Sequence, residues 1–143
     1  MKCEVIIDPS CEEKIVIQAH DRSEIIEKII QLAHTDCTEI LGYNEDVITK
    51  LCFDDIYYIS VIDGKVYATC EKEKYILKER LYSVEDKLPD IFIKINQSCI
   101  ANIRKTQKFD TSISGTLKIV FKNGDTDYVS RRQLKNVKER LGI

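Results

Sequence analysis

From Glu39 to Ser130 apolar residues keep returning at every second position, in short runs broken by turn-forming groups. The breaks fall at Asn44-Glu45-Asp46, Asp54-Asp55, Asp63-Gly64, Glu71-Lys72 and Asn123-Gly124. Alternation of this kind places apolar side chains on one face of an extended strand, and Asp-Gly or Asn-Gly supplies the positive φ of a tight hairpin. A chain so punctuated is driven toward small antiparallel sheets. Two helical patterns interrupt it. Leu81, Val84 and Leu88 share one helical face before Pro89 stops the helix. "SRRQLKNVKERLGI" closes the chain, with Ser130 and Gln133 spaced as a capping box and Gly142 suited to a C-cap. Its Leu134, Val137 and Leu141 form a stripe expected to dock on a sheet, while Arg131, Lys135 and Lys138 lie on another face. The expected fold class is α+β, mainly β.

The N-terminal residues read differently. "KCEVIID" and "EKIVIQAH" look like two strands joined at Pro9-Ser10, and Asp21 with Glu24 suggests a second capping box. The helix that follows carries Ile25, Ile26, Ile29, Leu32 and Ala33 as a wide apolar stripe. Residues 1–38 are therefore expected to form a hairpin-helix extension serving packing or dimerisation, and residues 39–143 the main domain.

With 43% hydrophobic and 32% charged residues, the composition is that of an ordinary soluble globular protein. No apolar run is long enough to span a bilayer, and acids follow the initiating Met-Lys too closely for a secretory signal. The expected compartment is the cytoplasm. The six cysteines are widely spread without a C-x-x-C pair, so buried thiols are expected rather than disulfides, and neither His20 nor His34 has the cysteine pair that zinc would need. Net charge is −2, but it is unevenly divided. Residues 1–90 hold 11 Lys+Arg against 20 Asp+Glu, and residues 91–143 hold 11 against 4, so the parts carry −9 and +7. A split of this sort points to a polyanionic partner, or to two parts that attract each other within the fold.

Catalytic chemistry has little to stand on. The five glycines are isolated, so no phosphate-cradling loop exists. Cys99 could pair with His20 or His34, but it stands beside Ile100-Ala101 without an elbow motif. Asp54-Asp55 reads as a solvated turn. The expectation is a non-enzyme with no metal, no cofactor and no small-molecule substrate. What remains is a basic C-terminal part with polar residues at loop positions. Lys and Arg hold phosphates, a helix N-terminus adds N–H donors, and Arg, Asn and Gln are the residue types that read guanine and adenine edges. Asn96, Gln97 and Arg132 have that chemistry.

"FIKINQSCIANIRK" followed by "GTLKIVFKNGDTDYVSRRQLKNVKERLG" resembles the LytTR DNA-binding domain family. The match runs through Phe92, Lys94, the triplet Asn96-Gln97-Ser98, Ile100-Ala101, Asn102 and Ile103, then Asn123-Gly124 and Val129-Ser130-Arg131-Arg132-Gln133-Leu134. Upstream, "DDIYYISVIDGKVYATCEKEKYILKERLYSVEDKLPD" extends it, so the likeness covers about residues 40–142. It implies an elongated arrangement of small antiparallel sheets with short helices, in which loops enter successive grooves of double-stranded DNA. Carried over by position, Lys65 at the Asp63-Gly64 turn, Asn96, Gln97 and Ser98 in the triplet, and Arg131 and Arg132 at the helix start face DNA. Gln97 and Arg132 are expected to read bases, and Lys94, Lys105, Arg131 and Lys135 to hold phosphates. Asn-Gln stands where the family's triplet often has His or Asn then Arg or Asn, which implies an altered base preference.

Only about 40 residues precede the match, fewer than a receiver domain needs. The resemblance therefore implies a stand-alone transcriptional regulator, a homodimer on DNA or through the N-terminal helix, and control by a small membrane protein in place of phosphorylation. The competing reading is a protein-interaction or oligomerisation module in which the acidic part covers the basic one.

Overall fold

The computed structural model describes residues 2–12, 14–33, 39–112 and 115–143, in two units, Met1–Cys37 and Thr38–Ile143. In the first unit the described secondary structure is one helix, α1 (Glu24–Ala33). It is capped by Ser23, whose Oγ accepts from the Ile26 N–H at 3.4 Å, and not by Asp21 as the capping-box spacing suggested. The two strands expected before it do not form: residues 2–8 and 14–20 carry no strand pairing. Val5, Ile6, Ile7, Ile15 and Val16 stand 64–88% exposed. A two-stranded hairpin without a covering layer is marginal in water, so alternation alone does not hold these residues in a sheet. The break between them was legible, because Asp8 Oδ1 accepts from both the N–H and Oγ of Ser10, which also holds the Asp8 carboxyl below its usual range.

The second unit follows the alternating pattern closely. Its strands are β1 (Glu39–Asn44), β2 (Val47–Cys52), β3 (Tyr58–Ile62), β4 (Lys65–Thr69), β5 (Lys74–Leu77), β6 (Phe92–Asn96), β7 (Cys99–Asn102), β8 (Thr106–Asp110), β9 (Leu117–Phe121) and β10 (Thr126–Val129). Helix α2 (Leu81–Lys87) lies between β5 and β6, and α3 (Arg131–Leu141) follows β10. Seven strands form one antiparallel sheet in the order β2-β1-β5-β4-β3-β7-β6, and three form another in the order β10-β9-β8. The β3–β4 turn has Asp63 at φ 51° and Gly64 at φ 75°, two consecutive positive values that few residue pairs tolerate.

Two cores result, and β6 and β7 serve both. Phe92 and Ile100 pack with Ile40, Leu51, Phe53, Ile59 and the α2 residue Val84. Their neighbours Ile93, Ile95, Cys99 and Ala101 point the other way, onto Leu117, Ile119 and Phe121 of the small sheet and Val137 of α3. Successive strand side chains face opposite sides, so burial on both faces removes the polar face the sequence suggested for this segment. Asn102 is fully buried between these layers and stays satisfied, because its Nδ2 donates to Ile56 O at 2.8 Å and its Oδ1 accepts from the Arg104 N–H at 3.0 Å.

The cysteines divide. Cys99 is a buried free thiol, Cys70 is half-buried, and Cys3 and Cys11 are exposed. The exposed Cys3 and Cys11, and Cys52, which is disulfide-bonded, depart from the expectation of buried thiols.

Candidate nucleic-acid interface

Strand register gathers three connections at one end of the large sheet. Ser60 of β3 pairs with Cys99 of β7, and the Val61 N–H donates to Ser98 O at 2.8 Å. The Asp63-Gly64 turn therefore projects about two residues, roughly 7 Å, beyond the β6–β7 turn that holds Gln97. On the other side, the Ser130 N–H donates to Ile95 O at 2.8 Å, which seats the start of α3 against the last residues of β6. Lys65, Gln97, Ser98, Arg131 and Arg132 are all exposed at this end.

Within the triplet the three side chains have different duties. Asn96 Nδ2 donates to Asp127 Oδ1 at 3.2 Å and to Tyr128 O at 2.9 Å. Its Oδ1 accepts from the Ser98 N–H at 2.9 Å and from Ser98 Oγ at 3.2 Å. An amide side chain has two donors and two acceptor positions, so Asn96 is fully engaged inside the protein. Gln97, at the apex, is the exposed amide of the triplet.

The helix start has its own signature. Ser130 Oγ accepts from the Gln133 N–H at 3.4 Å, giving half of the expected capping box; the other half is replaced by the bond to Ile95 O. The first turn contains Arg131 and Arg132 and no acid. Two cations at the positive end of a helix dipole cost the isolated helix a few tenths of a kcal/mol or more each. An approaching anion reverses the sign of that term. Lys135 is exposed one turn along from Arg131. Gly142 ends the helix at φ 72°, as its position suggested.

Two cations expected at the interface lie elsewhere. Lys94 sits on the α2 side of β6, with its Nζ 3.7 Å from Glu85 Oε2, so its charge is already opposed. Lys105 follows the far end of β7, beyond the Asn102–Phe92 pair, roughly 14 Å or more from the β6–β7 turn. Its Nζ stands 5.3 Å over the Tyr57 ring and it lines an open groove of about 410 Å³ with Asp55, Cys70 and Glu73. One residue that sequence reasoning missed belongs to the site: Asp127, which receives the Asn96 amide. Asp125, whose Oδ2 accepts from Tyr58 Oη at 2.8 Å and from Asn123 Nδ2 at 2.9 Å, lies at the opposite end, where Tyr58 pairs with Ala101. The only sequence signal of Asp127 is an acid in an otherwise basic stretch.

Cys99 and Cys70 are not placed as activated thiols. Cys99 has no exposed surface; burial, then the nearby Asp127 charge and its hydrogen bond, push its thiol well above the usual range. Burial, with Asp55 and Glu73 nearby, pushes the Cys70 thiol up to about 11. His34 lies outside the described residues. Among the described residues no group of three or more His, Cys, Asp or Glu is placed to hold a metal ion, and no helix is long and apolar enough to cross a membrane.

Comparison with known proteins gives this geometry a context. An uncharacterised HTH-type transcriptional regulator of Staphylococcus aureus strain NCTC 8325 / PS 47 is 32% identical over 150 aligned positions, spanning all of this chain and 99% of the relative. A relative of the same description from strain MSSA476 is 33% identical over 138 positions, covering 92% of this chain and 91% of its own. A solved LytTr DNA-binding domain from Bacillus cereus superposes with a TM-score of 0.70 at 24% identity, over 73% of this chain and 97% of that one. That likeness is one of fold: α+β, mainly β, with no two of the described helices consecutive in the chain. The family model of the LytTr DNA-binding domain matches residues 46–142, and the chain belongs to that family.

Proposed function

We propose that the protein is a sequence-specific, non-enzymatic transcriptional regulator that reads major-groove base edges of double-stranded DNA through loops. The observation that carries this reading is the convergence of the β3–β4 turn, the β6–β7 turn and the start of α3 at one end of the large sheet. Gln97 and Arg132 read bases there, and Lys65, Ser98, Arg131 and Lys135 hold the backbone. Lys94 and Lys105, opposed or remote, contribute to the field and not to direct contact. The relatives' description as transcriptional regulators supports the same reading.

The regulator works in the cytoplasm as a homodimer on DNA. Residues 1–38, whose Val5, Ile6, Ile7, Ile15 and Val16 are exposed, provide the second contact, either between two copies or to a small membrane-protein regulator. Arg132→Ala tests the assignment. It is expected to cost roughly 1–3 kcal/mol on a selected site and to relax preference at one base position. Unchanged affinity and preference would remove Arg132 from the reading set. Retention on mixed-sequence DNA at about 50 mM salt, lost as salt rises, separates this function from a protein-interaction module, which would not be retained.

A further inference from the structure

The acid of the interface raises a separate question. Asp127 is half-buried, bonded to Asn96 of the Gln97 turn and on the strand that leads into Arg131, on a face proposed to meet phosphates. A carboxylate there repels a phosphate, so its position calls for a role within the protein. One oxygen, Oδ1, has such a role: it accepts from Asn96 Nδ2 at 3.2 Å and from the Tyr128 N–H at 2.7 Å. Through the same amide, Asn96 also reaches Tyr128 O at 2.9 Å, two residues before the Ser130 cap of α3. At its other end Asn96 Oδ1 closes the turn onto Ser98.

We propose that Asn96 and Asp127 are positioning residues, an amide–carboxylate strut that fixes the β6–β7 turn in register with the start of α3. The strut sets the spacing at which Gln97 and Arg132 meet successive bases, and makes specificity depend on two side chains that touch no DNA. This rests on the DNA-reading function proposed above. A rigid pair of readers rejects wrong sequences because a misplaced amide or guanidinium leaves its hydrogen bonds unmade; a loose pair adjusts and discriminates less.

The test compares Asn96→Ala, Asp127→Ala, the double variant and Asp127→Asn in the full chain. Each is measured for thermal unfolding, for affinity to a selected duplex and for affinity to a scrambled duplex of equal length. Both single alanine variants are expected to lose about tenfold in the ratio of selected to scrambled affinity, with scrambled affinity unchanged or higher. The double variant is expected to lose no more than Asn96→Ala alone, because that change already removes the strut. Asp127→Asn keeps one oxygen to accept both N–H groups and is expected to retain the preference. Equal loss on both duplexes, additive losses, or an unchanged ratio would overturn the strut. Should Asp127→Ala fail to fold, Asn96→Ala against Asp127→Asn decides alone. If the unaltered protein shows no difference between duplexes, the DNA-reading function itself fails and takes the strut with it; a preference insensitive to all four variants sinks the strut alone.

Discussion

The backbone N–H of Ser130 donates to the carbonyl of Ile95 at 2.8 Å, so the helix cap and the end of a core strand share a hydrogen bond. Ser130→Ala leaves this bond and removes the side-chain acceptor for the Gln133 N–H. The expected cost is about 1 kcal/mol of stability by denaturant unfolding, with weaker binding to every DNA sequence as the first turn frays. Ser130→Thr keeps the acceptor and should stay near the unaltered protein. A Ser130→Ala protein of full stability and full affinity would show that the cap is idle.

Lys94 and Arg131 differ in what already opposes them. Lys94 lies 3.7 Å from Glu85, whereas the exposed Arg131 shares its helix turn with no acid. Arg131→Ala is expected to lower the slope of log affinity against log salt by about 0.9, one released counterion. Lys94→Ala should leave that slope within error. A titration of duplex binding from low to moderate salt measures both, and an equal change for the two would contradict the assignment.

Tyr58 joins the two sheets, with its Oη donating to Asp125 at 2.8 Å and its ring against Phe121 at 4.8 Å. Burial pushes its hydroxyl up to about 12 from 10; the neighbouring Thr69 hydroxyl opposes that rise, and the Asp125 carboxylate adds to it. The folded protein therefore keeps a proton that the unfolded chain releases. This contribution to stability is fully present below pH 10 and is lost between about pH 10 and 12. Tyr58→Phe should be less stable at neutral pH by about 1 kcal/mol and show a shallower decline across that alkaline window. Parallel curves for the two proteins would rule out the linkage.

Gly42 is required by packing. A Cβ there would meet Leu51 Cδ1 at 2.5 Å and Tyr75 Cβ at 2.7 Å, where β1 lies against its neighbours. Gly42→Ala is expected to cost about 1–3 kcal/mol by forcing those side chains aside. Thermal unfolding checks it, and an unchanged midpoint would mean that the hairpin shifts freely.

Much of this architecture was legible because strand alternation, Asp-Gly, Asn-Gly and Gly142 act locally, over a few residues. Gln97 and Arg132 could be named from residue chemistry and family resemblance, and they fall at the same end of the sheet. The spent state of Asn96, the pairing of Lys94 with Glu85 and the remoteness of Lys105 depend on register and on which face of β6 meets α2. Those relations join residues far apart in sequence, and composition carries no trace of them. The N-terminal strands show the reverse failure: "EVII" and "KIVIQA" have the pattern of a hairpin, yet pattern without a covering layer leaves their apolar groups in water.

Selection of bound sites from random duplex DNA, run in parallel for the unaltered protein and for Gln97→Ala, tests the central claim most directly. The account predicts a defined site for the unaltered protein. In the Gln97→Ala variant, preference is expected to collapse at one or two adjacent positions and to persist where Arg132 reads. Recovery of no enriched site, or of one identical site from both proteins, would contradict it.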